Sequence, residues 1–528
     1  MEPNPSRPAA LGGDHVVADQ SAVFALLADP ATHHLPPGTP VTRIDTHGAV
    51  VFLAGDHAYK VKRAVFFPFM DFSTLAKRQA ACLAEVAISG ANAPGLYLGV
   101  TAITRAGPAL RLDGSGEVVE YAVHMRRFDT RQTLDRVASE GELSPQLVTD
   151  LAAAVARAHA GAAEDRTRDA VSPLAGYLAD NRAEFTHHPE LFAPADAASL
   201  AEAMEAELAR LAPLLQARGA AGLIRRCHGD LHLANIVLLE DRPVLFDAIE
   251  FSTDIATCDV LYDLAFLLMD LWQRGLVSAA NGVLNHYLWA RRDDLQLDGL
   301  AALPFFMALR ACIRAKVEAA GLAHLSGAGQ EAARRRITHL FTVARALIAG
   351  EGADTLPPRA LPPGLTGAGP RLIAIGGLSG SGKTTRALEW APYTGRAPGA
   401  VVIRSDVERK RMFGGPLTAP LPAEAYAAAV TTQVYAELCE QARRILATGQ
   451  SVIVDAVHAH AQERGAIAAV AQALHLPFVG IWLEAPLAVR VERVTQRQGD
   501  ASDADADVAR RQQAYDLGSV DWLHWQNA

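Results

Sequence analysis

Between Ala49 and Arg63 the segment AVVFLAGDHAYKVKR places two apolar, extended halves around Gly55-Asp56, a pattern that predicts a β-hairpin. A helical stretch carrying Glu85 follows, then two more predicted strands, LYLGVTAITR and VVEYAVHMRRF. From Ser144 to Ala217, and again from Asp259 to Leu347, the chain is Ala/Leu-rich and helical. A strand-rich lobe ahead of a helix-rich lobe is therefore expected over residues 1–350. The periodicity then stops: GEGADTLPPRALPPGLTGAGP is dense in Pro and Gly and reads as a linker over 351–370, with the boundary near 365. RLIAIGG opens a second pattern, in which short apolar runs (AVVIRS, SVIVD, PFVGIWLEAP) alternate with helical segments. That alternation predicts an α/β domain with a parallel sheet over 371–528.

At 528 residues the chain is too long for one core, which agrees with two domains. A net charge of -9 argues against wrapping nucleic acid or an anionic membrane. The five cysteines are scattered singly, which implies no disulfide framework. The first residues lack a basic patch followed by an apolar core, so no secretion signal is expected. The longest apolar stretch, Val260 to Trp272, is interrupted by Asp263 and Asp270 and is too short to cross a bilayer. A cytoplasmic protein without a membrane partner is expected.

The first chemical constellation is Cys227-His-Gly-Asp-Leu-His-Leu-Ala-Asn-Ile236, followed by Pro-Val-Leu-Phe-Asp247-Ala-Ile-Glu-Phe251. Asp230 and Asn235 have the spacing of a kinase catalytic loop, and Asp247 follows a strand-like run where a kinase places its metal-binding Asp. HGDLHLANI with FDAIEF resembles the aminoglycoside and choline phosphotransferase branch of the protein-kinase-like fold. The resemblance implies Asp230 as catalytic base, Asn235 and Asp247 as Mg²⁺ ligands, His228 as a brace for the loop, and Asp263 as an architectural acid. Ala58-Tyr59-Lys60 resembles the strand lysine motif that grips ATP phosphates, with Glu85 as its helix partner; Lys62, two residues on, is the alternative. No glycine-rich G-x-G-x-x-G precedes them. An aminoglycoside acceptor would need an acidic pocket, for which Glu250, Asp254 and Asp259 are candidates; the same acids also serve as helix caps.

The second constellation is Gly377-Leu-Ser-Gly-Ser-Gly-Lys-Thr384, a G-x-x-x-x-G-K-[ST] loop between a predicted strand and a predicted helix. Gly377, Ser379, Gly380, Ser381, Gly382, Lys383, Thr384 and Thr385 are the expected phosphate-binding residues of an ATP site, with Thr384 also on Mg²⁺. Asp406 and Arg409, in Asp-x-x-Arg at a strand end, are candidates for base and for acceptor or phosphate clamp. Asp455 ends a third strand as the candidate Walker B carboxylate on Mg²⁺. Arg493 and Arg497, at helical spacing before a polar loop, are lid candidates. Residues 371 to about 525 resemble the small P-loop kinases that include gluconate kinase, chloramphenicol phosphotransferase and the polynucleotide 5′-kinase domain. The tandem order resembles bacterial bifunctional aminoglycoside phosphotransferase/ATP-binding proteins, and this implies a three-layer P-loop domain after the kinase-like one.

The expected activity is ATP-dependent phosphoryl transfer to hydroxyls of small molecules, by both domains. Two alternatives stand beside it. In one, the second domain phosphorylates polynucleotide 5′-hydroxyls, against which the acidic charge and the lack of an aromatic-interleaved basic stretch count. In the other, one domain is a non-catalytic nucleotide sensor, against which the intact base and Mg²⁺ candidates in both halves count.

Overall fold

The computed structural model describes residues 15–67, 70–291, 293–353, 361–367, 369–497 and 499–527. It forms two compact units, one of Met1–Asp270 with Leu309–Ala344, the other of Leu271–Ala308 with Arg345–Ala528.

In the first unit, β1 (Thr42–Asp45), β2 (Ala49–Ala54), β3 (His57–Lys62), β4 (Tyr97–Ala106), β5 (Ala109–Leu112) and β6 (Glu117–Arg126) form an antiparallel sheet in the order β1-β2-β3-β6-β4-β5. The expected hairpin is β2–β3, with Lys60 opposite Val51 and Lys62 opposite Ala49. Helix α1 (Leu75–Asn92) packs on this sheet; Cys82, Leu96, Val123 and Met125 are buried there together with Val237 and Phe246 from the helical lobe. That lobe comprises α2 (Pro145–Gly161), α3 (Ser172–His187), α4 (Pro194–Ala220), α5 (Val260–Gln273), α7 (Leu303–Gly321) and α8 (Gly327–Ile348). In α5 every side chain from Val260 to Leu268 is at most 3% exposed, so the longest apolar run of the chain is a core helix. Among the described residues no helix is long and apolar enough to cross a membrane.

In the second unit, β7 (Leu372–Gly376), β8 (Val401–Arg404), β9 (Val452–Asp455), β10 (Phe478–Glu484) and β11 (Leu523–Gln526) form an all-parallel sheet in the order β8-β9-β7-β10-β11. Ile373, Ile375, Val402, Ile453 and Ile481 make its dry core. The sequence carries no clear signal for the fifth strand, β11; LHWQ is only four residues long, and its pairing with β10 makes it a strand. Residues 354–360 and 368 of the expected linker lie outside the described residues. The part at 361–367 is packed: Leu365 is fully buried, and Arg371 donates to the carbonyls of Gly364 and Thr366 at 2.7 and 2.6 Å.

Contiguous halves do not describe the packing. Helix α6 (Val277–Ala290) belongs to the second unit and covers the outer edge of β8. Asn285 Oδ1 accepts the Val402 N–H at 2.7 Å, Asn281 Nδ2 donates to Ala400 O at 3.0 Å, and Trp289 Nε1 donates to Val402 O at 2.8 Å. An edge strand exposes unpaired backbone groups, and these three side chains supply the partners that a sixth strand would have given. We expect Asn285→Ala to leave a buried N–H unpaired and to lower the stability of the second unit by about 1–3 kcal/mol, read as a lower urea midpoint of its unfolding transition.

Candidate active sites

On β3 the two-residue period puts Lys60 and Lys62 on one face, and both reach Glu85 of α1, which is fully buried. Lys60 Nζ donates to Glu85 Oε1 at 2.9 Å and pairs with Asp247; Lys62 Nζ donates to Glu85 Oε2 at 2.5 Å and pairs with Glu250. The two candidate lysines therefore differ in their second carboxylate. Lys60 joins Glu85 to Asp247, whereas Lys62, 2% exposed, closes onto Glu250 behind it. Burial works against the charge of Lys60, but Asp247, Glu85 and Glu250 outweigh it and hold its pKa well above the ordinary lysine value. Asp247 adopts φ +60°, and its N–H donates to the Tyr97 hydroxyl at 3.0 Å.

Asp230 and Asn235 meet as their spacing predicts: Asn235 Nδ2 donates to Asp230 Oδ2 at 2.9 Å and to Asp230 O at 3.0 Å. His232 Nε2 lies 3.3 Å from Asp230 Oδ2. Burial pushes the Asp230 carboxyl up, but His232, Arg314 and His228 bring it well below the usual carboxylate range. The loop is held from beneath. Asp263 accepts the backbone N–H groups of His228 and Gly229 at 3.3 and 2.8 Å and a hydrogen bond from His159 Nε2 at 3.1 Å. His228 Nε2 donates to Phe246 O at 2.9 Å, the brace expected of it. Gly229 has φ +82°, and a Cβ there would meet Ala256 and Ile249 at 3.1–3.2 Å, so a larger residue between His228 and Asp230 would be strained and would displace its neighbours.

The three acids considered for a cationic acceptor are all engaged. Glu250 pairs with Lys62, Asp254 with Arg168 at 2.9 Å, and Asp259 takes a two-point bond from Arg218 at 2.6 and 2.7 Å. Glu250 and Asp259 are structural partners with little-exposed side chains, whereas the Asp254 side chain is 86% exposed.

In the second unit the phosphate-loop residues run from β7 into α9 (Lys383–Trp390), with Gly382 capping the helix at φ +89°. A Cβ on Gly380, φ +82°, would sit 2.4 Å from the Arg490 carbonyl oxygen. Thr384 Oγ1 donates to Asp455 Oδ2 at 2.6 Å, joining two of the expected metal ligands. Lys383 Nζ donates to Leu378 O at 3.3 Å; burial lowers its pKa, against the pull of Asp455 and Asp406. Asp455 ends β9 opposite both Ile375 and Arg404, and burial raises its pKa. Arg404 lies 3.4 Å from Asp455 Oδ2, donates to Asp500 Oδ1 at 2.6 Å, and sits 5.2 Å over the ring of Trp289.

Asp406 lies in the first turn of α10 (Ser405–Met412) and makes no hydrogen bond among the described residues. Arg409 is buried: it donates to Ala425 O at 2.5 Å and Thr431 Oγ1 at 3.3 Å and stacks 5.0 Å over Tyr426. Arg493, on α11 (Leu487–Gln496), donates to Asn527 O at 2.9 Å and comes within 3.7 Å of a Cβ position on Gly382. Arg497 donates to Ala504 O at 2.7 Å. The structure thus gathers Lys383, Thr384 and Asp455, sets Arg493 against the loop, and ties Arg409 and Arg497 to neighbouring backbone.

Residues 51–298 match the family described as Phosphotransferase enzyme family, and residues 372–516 match one described as AAA domain. Over 485 residues the chain is 31% identical to an uncharacterized protein of Mycobacterium tuberculosis (strain ATCC 25618 / H37Rv), covering 90% of each. The same figures hold for an uncharacterized protein of Mycobacterium bovis (strain ATCC BAA-935 / AF2122/97). The chain belongs to their two-domain phosphotransferase and P-loop family. Among solved structures it is similar to a choline/ethanolamine kinase family protein from Mesorhizobium loti (15% identity, 61% of this chain and 99% of that one, TM-score 0.35). It is also similar to a gluconokinase from Sinorhizobium meliloti 1021 (22% identity, 30% and 83%, TM-score 0.22). The chain is an enzyme of the kinase and phosphotransferase class.

Several site residues escaped the sequence. In the phosphotransferase domain His232 was legible as the second His of HGDLH, two residues from Asp230. In the P-loop domain Asn527 carries no motif, yet its side chain donates to Ser381 O at 2.7 Å and accepts from Arg386 at 2.6 and 2.9 Å. Gln512 Oε1 accepts the Ser379 N–H at 2.6 Å. Both fasten the phosphate loop from segments more than a hundred residues away.

Two outcomes are expected. Gly380→Ala forces a methyl onto the Arg490 carbonyl at positive φ, so nucleotide binding to the P-loop domain should fall at least about tenfold in a titration with a fluorescent ATP analogue. For Asp263, burial pushes the carboxyl up, but His159, His228 and Arg310 outweigh it and hold the folded-state pKa below the ordinary value. Its stabilisation is therefore complete above the unfolded pKa, about 4, and is lost as pH falls through the depressed folded value. Acid titrations of unfolding should show a shallower slope below about pH 4 for Asp263→Asn than for wild type.

Proposed function

We propose that both domains are ATP-dependent phosphotransferases acting on hydroxyl groups of small molecules. The observation that carries the reading is the Lys60 bridge between Glu85 and Asp247, beside the Asp230–Asn235 pair. The reading takes Lys60 as the phosphate-binding cation, Asp230 as the base, and Asn235 and Asp247 as oxygen ligands of one site. Thr384 on Asp455 supports the same reading for the P-loop domain.

The donor sets fit Mg²⁺ and a nucleotide. Lys60 and Lys62 face three carboxylates, Glu85, Asp247 and Glu250, so the cluster has one acid more than it has ammonium groups. Carboxylate, amide and hydroxyl oxygens are the ligands a hard dication prefers. Asn235 and Asp247 would hold the metal in the phosphotransferase domain; Thr384 and Asp455 would hold it in the P-loop domain. Bound there, Mg²⁺ neutralises the charge that builds on the transferring phosphoryl group.

The chain's own residues do the rest. Lys60, fixed between two carboxylates, offers its ammonium to the nucleotide phosphates. Asp230 orients the acceptor hydroxyl and takes its proton. A loose phosphoryl-transfer transition state lets that proton leave late. In the P-loop domain the backbone amides from Gly377 to Thr384 and the start of α9 receive the phosphates, with Lys383 and Thr385 beside them. Asp406 receives the acceptor proton there. Arg409 positions the segment around Ala425 and Thr431, and Arg493 and Arg497 close over the phosphates.

The test is ADP formation by the full chain against hydroxyl acceptors, with Asp230→Ala and Lys383→Ala compared to wild type. Each acceptor's turnover should fall by about 10²-fold or more in one variant and not in the other. Acceptor-stimulated turnover that neither substitution reduces would overturn the reading.

A further inference from the structure

The surroundings of Asp230 indicate the charge of the acceptor. Arg310 and Arg314 lie one turn apart on α7, and both guanidinium groups face the ring of Phe266 of α5, at 4.7 and 5.9 Å from its centroid. The His232 ring also packs on Phe266, centroid to centroid 5.2 Å, and His232 Nε2 is 3.3 Å from Asp230. One aromatic ring therefore connects two arginines and a histidine to the loop that carries the base.

The donors of these arginines are under-used. Arg310 is 5% exposed and stacks 3.9 Å over Tyr262; its Nε donates to Tyr262 O at 3.4 Å. Among the described residues its NH2 group has no hydrogen-bond partner, and the nearest carboxylate oxygen of Asp263 is 4.0 Å away. Arg314 has a side chain 30% exposed and a distant ion pair with Glu318 at 3.9 Å; Glu318 is held more closely by Arg336 at 2.9 Å.

The acids behind the loop are each already engaged among the described residues. Asp263 is filled by His159 and two backbone N–H groups, Asp270 accepts the Leu233 N–H, Glu250 is held by Lys62 and Asp259 by Arg218. A polycation would approach two guanidinium groups across a weakly screening apolar wall, whereas an anionic oxygen would complete their hydrogen bonding.

We infer that the acceptor of the phosphotransferase domain is an alcohol that also carries an anionic group, a carboxylate or a phosphate, held by Arg314 with Arg310 behind it. The inference rests on the reading of Asp230 as the base of that site. In the reaction the acceptor oxygen bonds to the γ-phosphorus, the bond from that phosphorus to the β,γ-bridging oxygen breaks, ADP leaves, and the hydroxyl proton passes to Asp230.

The experiment uses the full chain carrying Lys383→Ala, which silences the P-loop domain. Calorimetric binding and ADP formation are measured with gluconate, glycerol 3-phosphate, glycerol, choline and kanamycin. We expect gluconate or glycerol 3-phosphate, which separate the carboxylate from the phosphate source, to bind and to be turned over. Arg314→Met should raise KM for that anion at least about tenfold with kcat changed much less, and Arg314→Lys should recover part of the loss. Asp230-dependent turnover of choline or kanamycin overturns the inference. So does anion binding that Arg314→Met leaves intact, or the absence of binding by either anion. Arg314-dependent anion binding without any Asp230-dependent ADP formation upholds the anion site and refutes the phosphotransferase reading instead.

Discussion

A charge withdrawn from water stays charged only when an opposite charge or a set of hydrogen bonds replaces the water, and both sites of this enzyme are arranged around that requirement. Glu85 is fully buried and answers two ammonium groups from one strand face. Asp263, equally buried, answers the backbone of the loop that carries Asp230. In the P-loop domain Arg404 meets Asp455 and Asp500 while lying on the face of Trp289. Removing one member from such a cluster leaves the others uncompensated, so each cluster resists rearrangement. That resistance keeps the reactive groups in place before any ligand arrives.

The same requirement explains what could be read along the chain and what could not. Asp230 and Asn235 are five residues apart and joined by two hydrogen bonds; Lys383 and Thr384 are adjacent. Groups that meet within a turn or a loop leave a spacing in the sequence. Their supports do not: Asp263 reaches back across 34 and 35 residues, Asn527 across 146, and Asn285 across 117. Only the tertiary fold sets those distances, and Asn, Asp and Gln are too common for any single one to signal its partner. The two-residue period of β3 predicted that Lys60 and Lys62 share a face. It could not tell them apart, because the difference lies in whether Asp247 or Glu250 receives each one.

Boundaries were subject to the same limit. The Pro/Gly-rich run reads as a break because such residues seldom continue a helix or strand, yet Leu365 within it is core. The helix covering the edge of β8 lies some hundred residues earlier in the chain, inside the stretch matched by the phosphotransferase family. An uncovered parallel edge strand is unstable and prone to aggregate, so a partner was required. Hydrophobic patterning shows that the edge needs cover without showing which segment provides it.

Counting acids near a motif is a poor guide to local potential for a related reason. Glu250, Asp254 and Asp259 were open candidates for an acidic pocket beside the catalytic loop, and each pairs with a cation: Lys62, Arg168 and Arg218. Once those pairs are formed their fields largely cancel over a short distance, and the potential left near Asp230 is set by groups whose charge is incompletely answered. Arg310, whose NH2 has no hydrogen-bond partner among the described residues, and Arg314, paired with Glu318 only at 3.9 Å, are two such groups. Pairing, and not composition, decides which charges a substrate meets there.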